Sequence, residues 1–287
     1  MPVETAGRRG VNLRRISVWA GVVVTMSYLA ACGYMWSAQK QLVFEPSPEI
    51  QTTPARLGMR FEELSIPVGS AELHGWWVPA EQPGAVTVLY LHGNYRNIGN
   101  NLDHTRHLHD LGYNVMLADY RGYGKSTGGA PSEAKVYEDA EAAWQYMLKV
   151  RGVHPRRAFI YGHSLGGAIA IDLASRHPEA AGLIAESAFT SMQAMGELEY
   201  GYLPVGALLN QRFDSLQKIA TLKLPVLLIH GTWDQRVPVA MAQQLYAAAP
   251  QPKTLTLIEG GEHSNSGMVG WVEYREAVSA FVKRYAR

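Results

Sequence analysis

A single serine stands between glycines in the stretch YGHSLGG, Tyr161–Gly167, directly after the apolar run RAFIY. Gly162, Ser164 and Gly166 form the pattern G-x-S-x-G. Where this pattern joins a strand to a helix, the turn lifts the serine hydroxyl above the sheet, and side chains two residues to either side would collide, so both positions require glycine. The same letters also fit a glycine-rich turn with a helix-capping serine, so the surrounding elements must decide whether Ser164 is a nucleophile.

Two later loops contain the residue types that a serine nucleophile needs. A hydroxyl is a weak nucleophile near neutral pH and requires a base, and that base requires an orienting acid. The loop HGTWDQRVP contains Asp234 and the loop EGGEHSNSG contains His263, each just beyond an apolar run. The carboxyl ends of parallel strands meet at one crevice, and the chain order Ser164, Asp234, His263 is the one expected for this turn. The amide of Leu165, at the start of the following helix, would face a developing oxyanion.

Other polar residues compete for these roles. Glu186 also ends a predicted strand near the crevice and is the alternative acid, whereas His92, His163 and His230 are expected to support loop geometry. The stretch HTRHLHD, His104–Asp110, superficially resembles a metal cluster, but we interpret it as a solvated helix. The sequence contains no nucleotide-binding or metal motif, so we expect no cofactor and no metal.

Hydrophobic patterning predicts the elements that must position these residues. Two short strand-like segments joined at Gly69–Ser70 predict a hairpin. Further apolar runs alternate with helical patterns, and runs this apolar suit parallel strands covered on both faces. We therefore predict an α/β fold in which two antiparallel strands lead into a doubly wound, mostly parallel sheet. The predicted strands are Phe61–Val68, Ala71–Pro79, Val86–His92, Asn114–Tyr120, Ala158–Gly162, Gly182–Ser187, Pro225–Gly231 and Thr254–Glu259, and the clearest helices are Ser132–Val150 and Val269–Tyr285.

An uncharged apolar segment, Ile16–Gln39, precedes this domain. As a helix it would be about 36 Å long, enough to cross a hydrocarbon core of about 30 Å. The cationic residues before it are Arg8, Arg9, Arg14 and Arg15. Because only Lys40 follows the segment closely, the positive-inside bias keeps the N-terminus cytoplasmic and places the domain on the extracytoplasmic side.

The same segment has two alternative interpretations. The letters LAAC, Leu29–Cys32, resemble a bacterial lipoprotein signal, in which cleavage precedes a cysteine that is then lipidated; a soluble secreted product is the third alternative. An uncleaved anchor and a lipoprotein would both tether the domain to a membrane. We expect residues 1–40 to form a tail with an anchor or lipoprotein signal, residues 41–60 a linker, and residues 61–287 the folded domain.

The motifs from about residue 41 to the end resemble the α/β-hydrolase superfamily, and within it the membrane-anchored, serine-aminopeptidase-like hydrolases grouped with the bud-emergence proteins and the depalmitoylase-type ABHD proteins. The resemblance implies the α/β-hydrolase fold, with Ser164 as nucleophile, His263 as base and Asp234 as acid. It also implies an oxyanion site made by the amides of Leu165 and Asn94. The loop GGEHSNSG departs from such relatives in the pair of residues after the histidine. The stretches that support the resemblance are LYLHGN (Leu89–Asn94), DYRGYGKSTG (Asp119–Gly128), YGHSLGG (Tyr161–Gly167), ESAFTS (Glu186–Ser191), RFDSLQKI (Arg212–Ile219) and HGTWDQRVP (His230–Pro238).

Composition and charge narrow the function classes. The chain has 287 residues, 47% of them hydrophobic, and a formal net charge of +1, so it suits one large α/β domain and shows no electrostatic footprint for nucleic acid. Three classes fit the residues. They are a serine hydrolase that cleaves an ester, thioester or amide through an acyl-enzyme, an acyltransferase on the same machinery, and a non-catalytic binding protein.

The segment between Phe189 and Leu224 bears on the substrate. It is too short for an independent cap domain and predicts a small lid at about residues 190–223. A small lid beside a membrane segment favours an acyl chain reached from the bilayer surface, as in a lipid ester or an acylated protein, with a peptide as the alternative substrate. The apolar lid residues, which could wall a groove or form the buried face of a connecting helix, are Tyr200, Tyr202, Leu203, Val205, Leu208 and Leu209.

Overall fold

The computed structural model of the chain describes residues 13–287 and is built on an eight-stranded sheet. In space the strands of this sheet follow the order β10-β9-β8-β7-β4-β6-β3-β2, and β1 pairs only with β5. Strand β3 lies antiparallel to both neighbours, and the other pairs in the sheet are parallel. The predicted hairpin and the predicted mostly parallel sheet are therefore confirmed. The strands are β1 (Glu45–Pro46), β2 (Glu62–Val68), β3 (Ala71–Val78), β4 (Thr87–Leu91), β5 (Tyr95–Arg96), β6 (Asn114–Ala118), β7 (Ala158–His163), β8 (Gly182–Glu186), β9 (Val226–Gly231) and β10 (Lys253–Ile258).

Helices cover both faces of the sheet, because successive strand residues point to opposite sides. In β7, Ile160 packs into the core beneath α3, α4 and α8, whereas Phe159 and Tyr161 pack into the core beneath α2 and α10. Both cores are apolar, which explains why the central strands read as continuous apolar runs. The helices are α1 (Leu13–Val43), α2 (Leu102–Asp110), α3 (Glu133–Lys149), α4 (Leu165–Arg176), α5 (Met192–Tyr200), α6 (Val205–Leu208), α7 (Ser215–Ile219), α8 (Val239–Ala248), α9 (Ser266–Val269) and α10 (Trp271–Tyr285).

Both of the clearest helix predictions are confirmed. Helix α3 forms as expected, and the Ser132 hydroxyl accepts a hydrogen bond from the backbone N–H of Lys135 as an N-cap. The predicted C-terminal helix, Val269–Tyr285, forms as α10, Trp271–Tyr285, and begins two residues later than predicted. Gly270 separates it from the short helix α9, Ser266–Val269, and a β-carbon on Gly270 would overlap the Ile258 side chain.

The expected linker, residues 41–60, packs against the domain along much of its length. Helix α1 continues to Val43, and the next residue, Phe44, is buried with its ring 6.1 Å from that of Phe213. The side-chain amide of Asn97 then donates to the backbone carbonyls of Ser47 and Glu49, at 3.0 and 2.8 Å. The first residues after the apolar helix are therefore fixed to the domain rather than free.

Among residues 13–287, α1 is the one helix that is long and apolar enough to cross a membrane. Its apolar side chains face outward, and Trp19, for example, is 68% exposed. Signal sequences share these properties, so the anchor and the lipoprotein signal both remain predictions. Of the arginines behind the orientation prediction, Arg8 and Arg9 lie outside the described residues.

Candidate active site

Ser164 occupies a sharp turn between β7 and α4. Its backbone has φ 57° and ψ −120°, in a region that favours glycine, so the turn is strained. A β-carbon on Gly162 would overlap the Gly166 carbonyl, and one on Gly166 would overlap the Leu91 carbonyl. The Ser164 amide donates to the Glu186 carbonyl at 2.9 Å, which fixes the turn to the next strand. The strand, turn and helix predicted around G-x-S-x-G are all present, and the two glycines are there for the predicted steric reason.

His263 lies between Ser164 and Asp234. Its Nδ1 is 2.8 Å from Asp234 Oδ2, and its Nε2 is 2.9 Å from Ser164 Oγ. A carboxylate only accepts hydrogen bonds, so Nδ1 bears the proton and Nε2 is free to accept the serine hydroxyl. Three side chains that are distant in sequence therefore lie within proton-sharing reach, in the order predicted.

The loop after β9 holds Asp234 in its ionised form. Oδ1 accepts the backbone N–H groups of Arg236 and Val237, at 2.9 and 2.8 Å. Burial by itself would raise the pKa of Asp234, but the hydrogen bonds from His263 and Val237 outweigh it and hold that pKa below its ordinary value. His230 Nε2 donates to the Val237 carbonyl at 2.8 Å, so this histidine supports the loop that bears the acid.

The loop that contains His263 contacts the loop that contains Asp234. The backbone N–H of Trp233 donates to the Gly261 carbonyl at 2.9 Å, and a β-carbon on Gly231 would overlap that same carbonyl. From the other side, His163 Nε2 donates to the backbone carbonyl of His263 at 2.7 Å. Backbone contacts between the loops after β9 and β10 thus set the distance between Asp234 and His263.

Asn94 and Leu165 line the hollow that contains Ser164. Among the described residues, the N–H groups of Asn94 and Leu165 donate to no protein acceptor. The loop bearing Asn94 lies close to the serine, because a β-carbon on Gly93 would be 3.5 Å from Ser164 Cβ. The Tyr123 hydroxyl donates to the Asn94 carbonyl at 2.9 Å and so fixes the orientation of this loop. Two preorganised donors near a serine hydroxyl are what an oxyanion requires.

Glu186, the alternative acid, lies elsewhere. It is fully buried, accepts a hydrogen bond from the Tyr161 hydroxyl, and lies 3.4 Å from His104 Nε2. Burial by itself would raise the pKa of Glu186, but His104, His163 and the Tyr161 hydroxyl lower it to about 2. The His104 ring in turn lies 4.7 Å from the His163 ring, so Glu186 belongs to a buried polar cluster behind His263.

Helix α2 differs from the expected solvated helix. His104, Thr105 and Leu108 are buried on its inner face, because the sheet lies beneath it. Its histidines have separate partners: His104 faces Glu186, the His107 ring lies 5.0 Å from that of Trp271, and the ring nitrogen Nε2 of His109 lies 3.1 Å from the Pro79 carbonyl. In the part of the chain that the structure describes, no group of three or more His, Cys, Asp or Glu residues is arranged to hold a metal.

Two adjoining hollows lie beside Ser164. The first, of about 390 Å³, is lined by the candidate residues Ser164 and His263 and by the apolar side chains of Phe189 and Met195. The second, of about 200 Å³, lies between α1 and the lid helices α5 and α6. The residues that line both are Leu42, Val43, Met192, Met195 and Glu199. A third hollow, of about 170 Å³, is lined mainly by polar groups and includes Ser164 and the exposed Arg236.

The sequence interpretation missed two contributors to these hollows. Leu42 and Val43, at the end of α1, line the space around Ser164. The sequence places both residues in the predicted linker, residues 41–60. The apolar run Leu42–Phe44 directly after the membrane segment was the available signal, since a solvated linker has no need of it. Of the predicted groove residues, Tyr200, Leu203, Val205, Leu208 and Leu209 line the second hollow, whereas Tyr202 is 72% exposed.

Comparisons with known proteins identify the family of the chain. Residues 82–218 match the family described as serine aminopeptidase, S33. The chain is 33% identical to an uncharacterized protein of Mycobacterium tuberculosis, over 92% of this chain and 95% of the relative. It is also 33% identical to the protein bem46 of Schizosaccharomyces pombe, over 79% of each chain.

A solved structure shows the same fold. The Pyrococcus furiosus esterase Pf2001 superposes with a TM-score of 0.69 at 23% identity, over 85% of this chain and 99% of the esterase. The resemblance found in the motifs is confirmed by both kinds of comparison. The chain belongs to the α/β hydrolases, in the family of serine aminopeptidase S33 type that includes bem46.

Proposed function

We propose that the chain is a membrane-tethered serine hydrolase that cleaves carboxylic esters or thioesters of acyl chains through an acyl-enzyme. The observation that supports this most directly is His263, whose two ring nitrogens lie 2.8 Å from Asp234 and 2.9 Å from Ser164. Each member of this arrangement has the residue type and the hydrogen-bonding partner that its role demands.

In the proposed acylation step, Ser164 Oγ attacks the acyl carbonyl carbon while His263 Nε2 takes the hydroxyl proton. Asp234 stabilises the imidazolium that forms, and the amides of Asn94 and Leu165 stabilise the negative oxygen. As the tetrahedral intermediate collapses, His263 donates its proton to the departing alcohol or thiol. The acyl group is left as an ester on Ser164.

In the proposed deacylation step, His263 takes a proton from water, and the resulting hydroxide attacks the acyl-enzyme. The tetrahedral intermediate uses the same two amides, and collapse returns the proton to Ser164. An alcohol or amine in place of water would make the protein an acyltransferase. Product analysis with an added alcohol separates the two reactions, because only the acyltransferase yields mostly the new ester.

The preference for an acyl ester rests on the surroundings of Ser164. The hollow that contains it is walled on one side by Phe189, Met192 and Met195, and the apolar space continues beneath the lid. One solved structure with the same fold is an esterase, and another is an acylaminoacyl peptidase. The second candidate is an aminopeptidase, which the family description suggests and which the carboxylates Glu45 and Glu199 favour, since both line the hollow and could bind a terminal amine.

A substrate series separates these candidates. The full chain in detergent micelles is assayed with nitrophenyl esters from acetyl to hexadecanoyl, with matched thioesters and with aminoacyl anilides. We expect esters and thioesters to react fastest with longer chains, and Ser164→Ala to lose about 10⁴-fold or more in kcat/KM. Faster cleavage of the anilides, or strict preference for acetyl, would contradict the acyl-ester proposal. An unchanged rate in Ser164→Ala would contradict the serine mechanism itself.

We also propose that α1 is an uncleaved anchor and that the domain is extracytoplasmic. The continuous helix through Cys32 supports the anchor, as does the contact of Tyr28, upstream of the cleavage position, with the lid at Tyr202. Intact mass after membrane extraction distinguishes the outcomes. Retention of Arg14 and Arg15 supports the anchor, and a chain that begins at a lipid-modified Cys32 contradicts it. Labelling of a cysteine introduced at exposed Glu81, in a Cys32→Ser chain, by an impermeant maleimide on whole cells tests the side.

A further inference from the structure

The last turns of α1 and the lid enclose one apolar groove. The groove residues contributed by α1 are Met35, Gln39, Leu42 and Val43. Those contributed by the lid include Met195, Tyr200, Leu203, Val205, Leu208 and Leu209. One wall of the groove is thus the helix expected to cross the membrane, and the other wall belongs to the hydrolase domain.

Gln39, on the α1 wall, forms hydrogen bonds to the backbone of the lid wall. Its side chain is 6% exposed, its Nε2 donates to the Leu208 carbonyl at 2.7 Å, and its Oε1 accepts the backbone N–H of Asn210 at 2.7 Å. A buried glutamine that satisfies two lid backbone groups fixes the lid at a defined height on α1. The groove is therefore a built feature and not a chance gap between two independent parts.

The groove is continuous with the space around Ser164. Leu42, Val43, Met192 and Met195 line both hollows, so an apolar chain attached at the serine can pass from one into the other. From Val43 to Met35 the groove follows α1 for about 12 Å, at about 1.5 Å per residue. Its lining is mainly hydrocarbon and thioether, which suits an alkyl chain, and the polar side chains in it are Gln39, Glu199 and Tyr200.

The lid also lies beside α1 further towards the membrane. The Tyr28 hydroxyl donates to the Tyr202 carbonyl at 3.4 Å, and Tyr28 is about 16 Å along the helix from Gln39. Leu198 and Tyr202 on the lid are 57% and 72% exposed. If α1 crosses a bilayer, these exposed lid residues lie at the depth of the leaflet that surrounds it.

We propose that this groove binds the acyl chain of the substrate, and that the substrate is a long-chain acyl ester or thioester whose chain comes directly from the surrounding leaflet. This inference rests on the proposed function. The chain lies between α1 and the lid, its carbonyl reaches Ser164, and its polar leaving group remains on the side of Arg236. The membrane helix is then part of the binding site for the substrate.

The test uses an alkyl phosphonofluoridate whose hexadecyl chain ends in a diazirine, with the full chain in phosphatidylcholine vesicles. Ser164 Oγ forms a bond to phosphorus, fluoride leaves, and the serine proton goes to His263. The alkyl chain then occupies the place of an acyl chain, and light fixes its end to whatever it contacts. We expect crosslinks in the peptides that contain Met35 and Val205–Leu209.

Each outcome of this experiment has a distinct meaning. Crosslinks only to lipid, or only to polar-hollow residues such as Tyr95 and Asn101, overturn the groove proposal while the adduct on Ser164 upholds the proposed function. A folded protein with no adduct on Ser164 overturns the proposed function and the inference that rests on it.

A matched pair of variants gives a second test on the same helix. Met35→Trp fills the groove, whereas Tyr34→Trp changes a neighbouring residue that is 65% exposed and does not line it. We expect Met35→Trp to lower kcat/KM for the hexadecanoyl ester about tenfold or more and for the butanoyl ester less than about twofold. Tyr34→Trp should alter neither. Leu209→Trp, which fills the groove from the lid, must give the same profile as Met35→Trp, and equal losses on both esters in both groove variants would contradict the proposal.

Discussion

At the scale of residues, hydrogen bonds from neighbouring groups fix the position of each side chain in the candidate site. His263 has one nitrogen committed to Asp234, so the other is directed to Ser164. Behind it, His163 donates to the His263 carbonyl, and burial together with the nearby His104 lowers the pKa of His163 to about 3. His163 is therefore neutral throughout the physiological range and remains a fixed donor rather than a competing base.

Glu186 gives a residue-scale prediction about stability and pH. Its pKa is about 2 against an ordinary 4.5, so the folded state gains stability from the carboxylate above pH 4.5 and loses it as the pH falls towards 2. We expect Glu186→Gln to lower the free energy of unfolding by about 3 kcal/mol at pH 7, because it removes a buried carboxylate that accepts the Tyr161 hydroxyl and lies beside His104. The deficit should shrink at pH 3.

Urea unfolding of the full chain in detergent, followed by tryptophan fluorescence, measures this difference. The control is Glu81→Gln, at an exposed position, which should change stability by less than about 0.5 kcal/mol at either pH. A deficit of equal size at pH 7 and pH 3 would show that the carboxylate charge is not what stabilises the fold.

At the scale of elements, the site depends on close approach between backbone segments. The turn at Ser164 closes because Gly166 lets α4 begin against the Leu91 carbonyl at the end of β4. In the same way, Gly231 lets the end of β9 lie against Gly261 in the loop after β10. The first contact lies at the turn that bears Ser164, and the second joins the loops that bear Asp234 and His263.

Gly166→Ala tests the first of these contacts. The added methyl group would overlap backbone rather than a flexible side chain, so we expect a loss of about 3 kcal/mol or more in the free energy of unfolding, together with loss of ester hydrolysis. Gly33→Ala is the matched control, since nothing lies within 4 Å of its added β-carbon. Thermal unfolding and hydrolysis of a butanoyl ester measure both variants. Full activity in Gly166→Ala would show that the turn has more room than described.

Gln39→Leu tests the connection between α1 and the lid. The Asn210 N–H loses its acceptor and the Leu208 carbonyl loses its donor, so the lid should open locally more often. We expect hydrogen exchange of the peptide around Asn210 to accelerate about fivefold, since a lost hydrogen bond is worth about 1 kcal/mol. Ser37→Ala, which affects only an exposed contact within α1, is the control. Unchanged exchange at Asn210 in Gln39→Leu would argue against the connection.

Much of this element-level structure could be predicted from the sequence, for stated physical reasons. Strands covered on both faces are apolar throughout, so β4, β7 and β9 could be predicted, and the loops after β7, β9 and β10 contain Ser164, Asp234 and His263 in that order. Contacts between segments that are distant in sequence are harder to predict, because the local sequence pattern does not reveal the partner. His104 lies 3.4 Å from Glu186, which is distant in sequence, so this buried contact could not be predicted from neighbouring residues.

At the scale of the whole molecule, the N-terminal helix and the hydrolase domain form a connected unit. Phe44 is buried in the domain core directly after α1, and Gln39 and Tyr28 hold the lid. Residues expected to act as a spacer therefore help to build the site. Under the proposed function, the enzyme acts on substrates in the membrane that α1 is proposed to cross, since the groove and the proposed anchor share one helix.

The measurement that tests the central claim most directly is the mass of the adduct formed with a fluorophosphonate. In the folded full chain we predict one adduct, on the peptide that contains Ser164, and none in Ser164→Ala. We predict labelling about 10³-fold slower in His263→Ala, because the serine loses its base. An adduct on a different residue, or a folded wild-type chain that forms none, would contradict the account.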